Sequence, residues 1–186
     1  MSDEALMLAY RDGDAGAFEA LYGRWRGRLY RYLLRQCGNA GHADELFQDI
    51  WLKIIGARKG YEVAAKFSTW LFRIAHNRLI DHYRRTSRDA AASFDDDDGL
   101  AEEAEAVAQS AAAQPERLVE RRAVAAAIVR QIEALPAAQR ETFLLSEEGE
   151  MTLEQIAAAT GVNRETAKSR LRYALNKLRA GLKDLR

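Results

Sequence analysis

The segment 94–116 most constrains what this 186-residue chain can fold into. It holds eight Asp and Glu, no Lys or Arg, and seven alanines. A stretch this acidic and this poor in large side chains cannot bury enough apolar surface to form a core. The flanking blocks 1–93 and 117–186 are both basic, with 15 and 13 Lys and Arg against 11 and 9 Asp and Glu. We therefore predict two small domains, at 1–88 and 116–186, joined by an acidic flexible linker at 89–115.

Both blocks are predicted to be helical, which makes the fold class all-α. The chain has only 2 prolines and 12 glycines, and its apolar residues recur at intervals of three and four. The single cysteine, Cys37, excludes an internal disulfide and fits a reducing compartment. The N-terminus is acidic, unlike a signal peptide, and no apolar run is long enough to span a membrane. We expect a cytoplasmic protein without membrane insertion.

The first block contains three predicted helices. In the first, the apolar residues run from Phe18 to Leu33, and Arg24, Arg28, Arg31 and Arg35 lie off this apolar stripe. The second starts near Ala43 and buries Leu46, Phe47, Ile50, Trp51, Ile54 and Ile55. Its other face carries Asp44, Glu45, Gln48 and Asp49. Such a cluster is also typical of a solvated first turn stabilised by the helix dipole.

The third helix, residues 66–85, has a second stripe beside its apolar one, formed by Lys66, Trp70, Arg73, Asn77 and Arg84. Cations hold phosphates, an aromatic ring stacks on a base, and an amide hydrogen-bonds a base edge. The stripe therefore suits an unpaired nucleic-acid strand. The alternative is an ordinary basic helix face with a half-buried Trp70.

No catalytic, metal or cofactor site is predicted. His76 and His82 are six residues apart and face different directions, and His42 lies in a turn, so the ligands of a metal site are not brought together. The sequence contains no nucleophile–base motif and no phosphate-binding glycine loop.

The second block contains a helix-turn-helix. A helix from Arg117 to Ala134, with Leu118, Val124, Ile128 and Ile132 inward, ends before Pro136. Thr152 and Gln155 form a capping-box pattern that opens a short helix at Leu153–Thr160. Gly161 then supplies a tight turn, and Asn163 is placed to cap the last helix.

The last helix is predicted to bind duplex DNA. Its polar face carries Arg164, Lys168, Ser169, Arg172, Asn176 and Arg179, and residues 160–186 hold eight bases and two acids. A capped basic helix after a tight turn is typical of a recognition helix that enters the major groove.

Together the two blocks resemble bacterial RNA polymerase sigma factors of the extracytoplasmic-function (ECF) group. The resemblance lies in AGHADELFQDIWLKII, KFSTWLFRIAHNRLIDHYRR, IEALPAAQRETFLL and LEQIAAATGVNRETAKSRLRYALNKLR, in this order along the chain. It implies a non-enzymatic protein that directs core polymerase to promoters, recognises −35 and −10 elements and promotes strand opening.

The resemblance also implies roles for individual residues. Glu45, Gln48 and Asp49 match the motif that docks on the clamp helices of the largest polymerase subunit. Tyr61, Phe67 and Asn77 match positions that capture a flipped −10 base, with Trp70, Arg73 and neighbouring bases around them. Lys168, Ser169, Arg172 and Tyr173 match −35 contacts in a domain that also meets the flap of the second subunit. An anti-sigma factor that covers both domains is a further implied partner.

Two other classes of protein stay open. A helix-turn-helix repressor or activator would bind operator DNA without core polymerase, but would have no reason to carry the Glu45, Gln48 and Asp49 cluster. An all-helical enzyme is the second, and the sequence offers no catalytic constellation for it.

Overall fold

The computed structural model describes residues 1–92 and 115–183, and in these residues the regular structure is helical. The predicted linker at 89–115 thus lies mostly outside the described residues. In chain order the helices are α1 (Asp3–Arg11), α2 (Ala15–Cys37), α3 (Ala40–Ala57), α4 (Phe67–Ala92), α5 (Pro115–Glu133), α6 (Ala137–Glu147), α7 (Leu153–Thr160) and α8 (Arg164–Gly181), with a 3-10 turn at Arg58–Gly60.

Local sequence signals set most helix ends. Asp14 caps α2, and its carboxylate accepts hydrogen bonds from the backbone of Gly16 and Ala17. Gly38 ends α2 in the left-handed conformation, where a glycine has no side chain to clash. Asn39 caps α3 through the backbone NH of His42, so α3 begins at Ala40 rather than near Ala43.

The structure adds a helix that the sequence analysis missed. α1 is capped by Ser2 and buries Leu6, Met7 and Tyr10. It packs against α2 and α4. Its Glu4 accepts a hydrogen bond of 2.8 Å from the backbone NH of Phe67, the first residue of α4. This bond is the largest cause of the lowered pKa of Glu4.

The N-terminal core lies between α1, α2, α3 and α4. Its fully buried large side chains include Leu21, Leu29, Tyr32, Leu33, Leu46, Ile50, Ile54, Phe67, Leu71 and Phe72. The prediction that Ile55 and Ile128 face inward is wrong, because Ile55 is 36% exposed and Ile128 is 39% exposed. Each lies one residue beyond the inward position, because Ile54 and Ala127 take the buried sites on α3 and α5.

The two predicted domains are in direct contact. The main apolar cluster continues from the N-terminal helices into α6, α7 and α8 through Leu144, Leu145, Met151, Ile156, Ala157 and Ala167. α6 packs on α2, and α7 packs on α4. The sequence analysis predicted two tethered domains and gave no sign of this contact.

We predict that Glu4→Ala destabilises the N-terminal helices by about 1 kcal/mol, as does the loss of an N-cap. The folded pKa of Glu4 lies below the ordinary 4.5. The contribution of Glu4 to the free energy of unfolding is therefore complete above the pKa of Glu4 in the unfolded chain. It is lost as the pH falls through the pKa of Glu4 in the folded chain. Urea unfolding followed by tryptophan fluorescence reports on these helices, which hold all 3 tryptophans. Glu19→Ala, on the exposed side of α2, is the control, and an equal loss in both variants would contradict the capping role.

Candidate nucleic-acid and polymerase interfaces

The predicted polymerase-docking residues share one face of α3. Glu45 and Gln48 are exposed, whereas Asp49 is partly buried. The Asp49 carboxylate is paired with the guanidinium of Arg78 on α4. The pair ties this face to the helix that carries the predicted −10 surface, which the sequence did not indicate.

A histidine pair lies beside the first turn of α3. The rings of His42 and His82 meet with centroids 4.7 Å apart. The prediction that His42 lies in a turn is wrong, because Asn39 starts α3 at Ala40 and His42 lies in its first helical turn. Burial is the largest cause of the lowered pKa of His82, and the electrostatic effect of the neighbouring His42 is the second. Among the described residues no group of three His, Cys, Asp or Glu side chains is arranged to hold a metal ion.

The predicted strand-binding residues of α4 divide into a surface set and a buried set. Arg73, Asn77 and Arg84 are exposed on α4, and Lys66 is exposed just before it. Steps of four and seven residues place Arg73, Asn77 and Arg84 on one side of the helix. This side is polar and cationic, as the sequence analysis expected.

The aromatic residues assigned to the same site lie largely inside the fold. Phe67 is fully buried and Tyr61 is 4% exposed. Trp70 is partly buried and packs its ring on both, with centroid distances of 5.0 Å to Tyr61 and 5.9 Å to Phe67. In this conformation Phe67 is a core residue that cannot touch a base, because its neighbours cover the whole ring.

Tyr61 is held in the loop before α4 by α1. The Arg11 guanidinium donates to the Tyr61 carbonyl at 3.4 Å. Within the described residues the buried Tyr61 hydroxyl has no hydrogen-bond partner, which is unusual because buried polar groups are nearly always paired. Burial raises the pKa of Tyr61.

The predicted helix-turn-helix is present with its predicted caps. Thr152 and Gln155 form the complete capping box of α7: the Gln155 NH donates to Oγ1 of Thr152, and the Thr152 NH donates to Oε1 of Gln155. Gly161 follows α7 with φ +70°, in the left-handed region. Asn163 then caps α8 by accepting from the NH of Thr166 at 2.8 Å.

The candidate contact residues of α8 lie on its outer surface. Lys168, Arg172 and Tyr173 are exposed and Ser169 is partly exposed. The Arg172 guanidinium lies 5.3 Å from the ring centroid of Tyr173. Arg164 is also exposed, but it pairs with Glu154 and Glu165. The hydrogen bond with Glu154 raises the pKa of Arg164. Because of these ion pairs, the Arg164 guanidinium must exchange a carboxylate for a phosphate to bind DNA.

No helix in the described part of the chain is long and apolar enough to cross a membrane.

Two parts of the chain match models of known protein families. Residues 21–89 match the family model of sigma-70 region 2, and residues 125–178 match sigma-70 region 4. The ECF RNA polymerase sigma factor SigK of Mycobacterium ulcerans is 33% identical over 94% of this chain and 90% of its own length. The chain belongs to the ECF sigma factors.

Other relatives agree with this assignment. RNA polymerase sigma factor CarQ of Myxococcus xanthus is 32% identical over 96% of this chain and 97% of its own length. The sigma factor RpoE of Bartonella quintana, solved in complex with the anti-sigma factor NepR, has the same fold. It is 23% identical, with a TM-score of 0.67 over 89% of this chain and 96% of the solved one. This ECF sigma factor thus directs RNA polymerase to promoters, and these matches do not favour a repressor that acts without polymerase.

The left-handed turn of the sigma factor's helix-turn-helix leads to a prediction. Gly161→Ala places a side chain at φ +70° and is expected to destabilise the C-terminal helices by about 1–2 kcal/mol. Gly23→Ala, on α2 with open space around the added carbon, is expected to stabilise the protein by about 0.5–1 kcal/mol. Thermal unfolding measures whether each substitution raises or lowers the stability of the protein. Stabilisation by Gly161→Ala would contradict the strained turn.

Proposed function

We propose that this sigma factor docks on core polymerase through α3, holds the opened −10 strand on α4 and reads the −35 duplex with α8. The observation that carries the proposal is the exposure of three separate polar surfaces that include residues to which the sequence resemblance gives these roles. These are Glu45 and Gln48 on α3, Arg73 and Asn77 on α4, and Lys168 and Arg172 on α8. Under this proposal α3 contacts a protein, α4 contacts single-stranded DNA and α8 contacts duplex DNA.

The α4 surface is suited to a single strand in its chemistry. Arg73, Arg84 and Lys66 supply cations for phosphates, and the Asn77 amide can pair with a base edge. Trp70 is the partly exposed ring on which a base can stack. We assign Tyr61 and Phe67 a supporting role, in which their buried rings pack against Trp70 and hold its orientation. The unpaired hydroxyl of Tyr61 becomes available to a base if the loop at 58–66 opens.

The same proposal covers partners and place of action. Core polymerase is met at the clamp helices and at the flap, and a sigma factor without catalytic groups contributes binding energy rather than bond chemistry. Unstacking a base costs a few kcal/mol, which binding in a pocket can offset. An anti-sigma factor is a further proposed partner, as in the RpoE–NepR complex.

Because polymerase and promoter DNA lie in the bacterial cytoplasm, we place the protein there. The domain limits 1–88 and 116–186 remain part of this proposal.

Polymerase docking is tested by charge reversal. Glu45→Lys with Asp49→Lys is expected to weaken binding to core polymerase by more than tenfold, since each lysine opposes a contact made by a carboxylate. Glu19→Lys with Glu62→Lys makes the same change of charge at exposed positions away from α3 and is expected to bind normally. Equal affinities of the two double variants for core polymerase would refute docking through α3.

The two DNA surfaces are separated by a pair of alanine variants. Arg172→Ala is expected to reduce closed-complex formation, because a good base contact in the major groove discriminates by about 1–3 kcal/mol. Asn77→Ala is expected to leave closed complexes intact and to slow strand opening, measured by permanganate footprinting. Lys177→Ala, exposed on α8 but on a different side from Arg172, is the control.

The outcomes of this experiment differ clearly. A better −10 element is expected to restore part of the binding lost by Arg172→Ala. A pre-melted −10 bubble is not expected to restore base discrimination to Asn77→Ala. An equal loss of duplex binding in both variants would show that α4 is only a second duplex-binding surface.

A further inference from the structure

A row of arginines on α2 is neutralised by carboxylates from other helices. Arg24, Arg28, Arg31 and Arg35 follow one another at steps of four, three and four residues, which places them on one stripe of the helix. Arg24 pairs with Asp3 of α1 at 2.6 Å. The other three form what we call the arginine row, and their partners all belong to the C-terminal helices or the turns between them.

The contacts of the arginine row are short and specific. Arg31 binds both carboxylate oxygens of Glu148, each at 2.8 Å. Arg28 meets Glu150 at 2.5 Å and Arg35 meets Glu133 at 3.3 Å. Glu150 has φ 51°, and it is the one non-glycine residue of the described chain in the left-handed region. The turn between α6 and α7 thus directs two carboxylates toward α2.

A buried pair lies close to the row. Nδ1 of His76 on α4 is 2.5 Å from Oε1 of Glu141 on α6, and the Tyr32 hydroxyl of α2 donates to the same oxygen at 3.4 Å. His76 and Tyr32 are both buried. Tyr32 of α2 and His76 of α4 thus meet at one carboxylate of α6.

We call the arrangement closed when the C-terminal helices pack on α2 and α4. The closed arrangement cannot bind a whole promoter. The −10 and −35 elements are about 25 base pairs apart, which is roughly 85 Å at about 3.4 Å per base pair. In the structure α7 packs directly on α4, and α8 follows α7 after Gly161 and the short turn to Asn163. An α8 of 18 residues is only about 27 Å long at about 1.5 Å per residue. The C-terminal helices must therefore leave α2 and α4 before both elements are bound.

Separation leaves the three arginines of the row without their carboxylate partners. From Arg28 to Arg35 the row spans about 10 Å of helix, comparable to three nucleotide steps. Guanidinium groups that bind carboxylates in a two-pronged manner bind phosphates in the same way. We propose that the arginine row binds glutamates of the C-terminal domain in the free chain and promoter phosphates in the open complex. Closure and promoter binding then compete for the same side chains.

The inference rests on the proposed assignment of α4 and α8 to the two promoter elements, and the test has two independent measurements. The first follows closure of the free chain by energy transfer between dyes on Lys53→Cys and Lys177→Cys, in a Cys37→Ser background. Glu148→Gln and Arg31→Gln each remove one side of the same ion pair, so both are expected to lower the transfer to a similar extent. Arg26→Gln, exposed on α2 and off the row, is expected to leave it unchanged.

The second measurement is the affinity of the assembled holoenzyme for a forked promoter as a function of salt. Arg31→Gln is expected to weaken binding on the order of tenfold and to reduce the salt slope by about 0.7–0.9, the value for one lost phosphate contact. Glu148→Gln and Arg26→Gln are expected to match the unchanged sigma factor, since under this proposal the C-terminal helices have already left α2 in the assembled holoenzyme and the Arg31–Glu148 pair is broken.

Each other result overturns the proposal. If neither Glu148→Gln nor Arg31→Gln changes the energy transfer, the row does not hold the chain closed. If Arg31→Gln binds the promoter as well as Glu148→Gln does, the row does not bind phosphate. A loss of affinity of Arg31→Gln for core polymerase without DNA would identify polymerase as the partner. Failure of the promoter assignment itself is recognised separately, because Asn77→Ala and Arg172→Ala would then keep normal opening and binding.

Discussion

The burial of one side of α4 is the constraint on which the other surfaces depend. Phe67, Leu71, Phe72, Ala75 and Leu79 are almost completely buried, and this fixes the rotation of the helix. Once these residues face the core, Arg73, Asn77 and Arg84 must face outward, because side chains on a helix repeat every 3.6 residues. The same rotation directs His76 toward Glu141 and Arg78 toward Asp49. Core packing therefore positions the proposed DNA surface, the domain contact and the proposed docking face at once.

The polar contacts between the two halves differ from this core in strength and in kind. Exposed ion pairs contribute about 0–1 kcal/mol each, so those of the arginine row stabilise the closed form only modestly. The His76–Glu141 pair is more protected, because His76 is only 7% exposed and Glu141 is partly buried. The same interface contains the apolar contacts of α6 and α7 with the N-terminal core. A partner that separates the two halves must therefore compensate for exposing apolar surface as well as for breaking ion pairs.

The helical segments and the helix-turn-helix could be predicted from sequence because their signals are local. Thr152 and Gln155 are three residues apart, and Asn163 caps an NH three residues away. Arg73 and Asn77 were assigned to the surface because the apolar stripe beside them is local too. The same reasoning put Phe67 both in the core and among the base contacts, and only packing showed that its ring is fully buried. α1 was missed because its amphipathic pattern is short, and its main polar contact, from Glu4 to Phe67, joins residues 63 positions apart.

The sequence by itself determined that this protein is all-helical, with two basic blocks and an acidic segment between them, and its motifs pointed to the ECF sigma factors. Those properties follow from composition, from periodicity and from contacts within one or two helical turns. Only the tertiary structure decided that the blocks touch and that the arginines of α2 are already occupied. Arg28 and Glu150 are separated by 122 residues and Arg31 and Glu148 by 117, and no local spacing relates them. Which carboxylate an arginine meets depends on how two helical surfaces pack, which is a property of the folded chain.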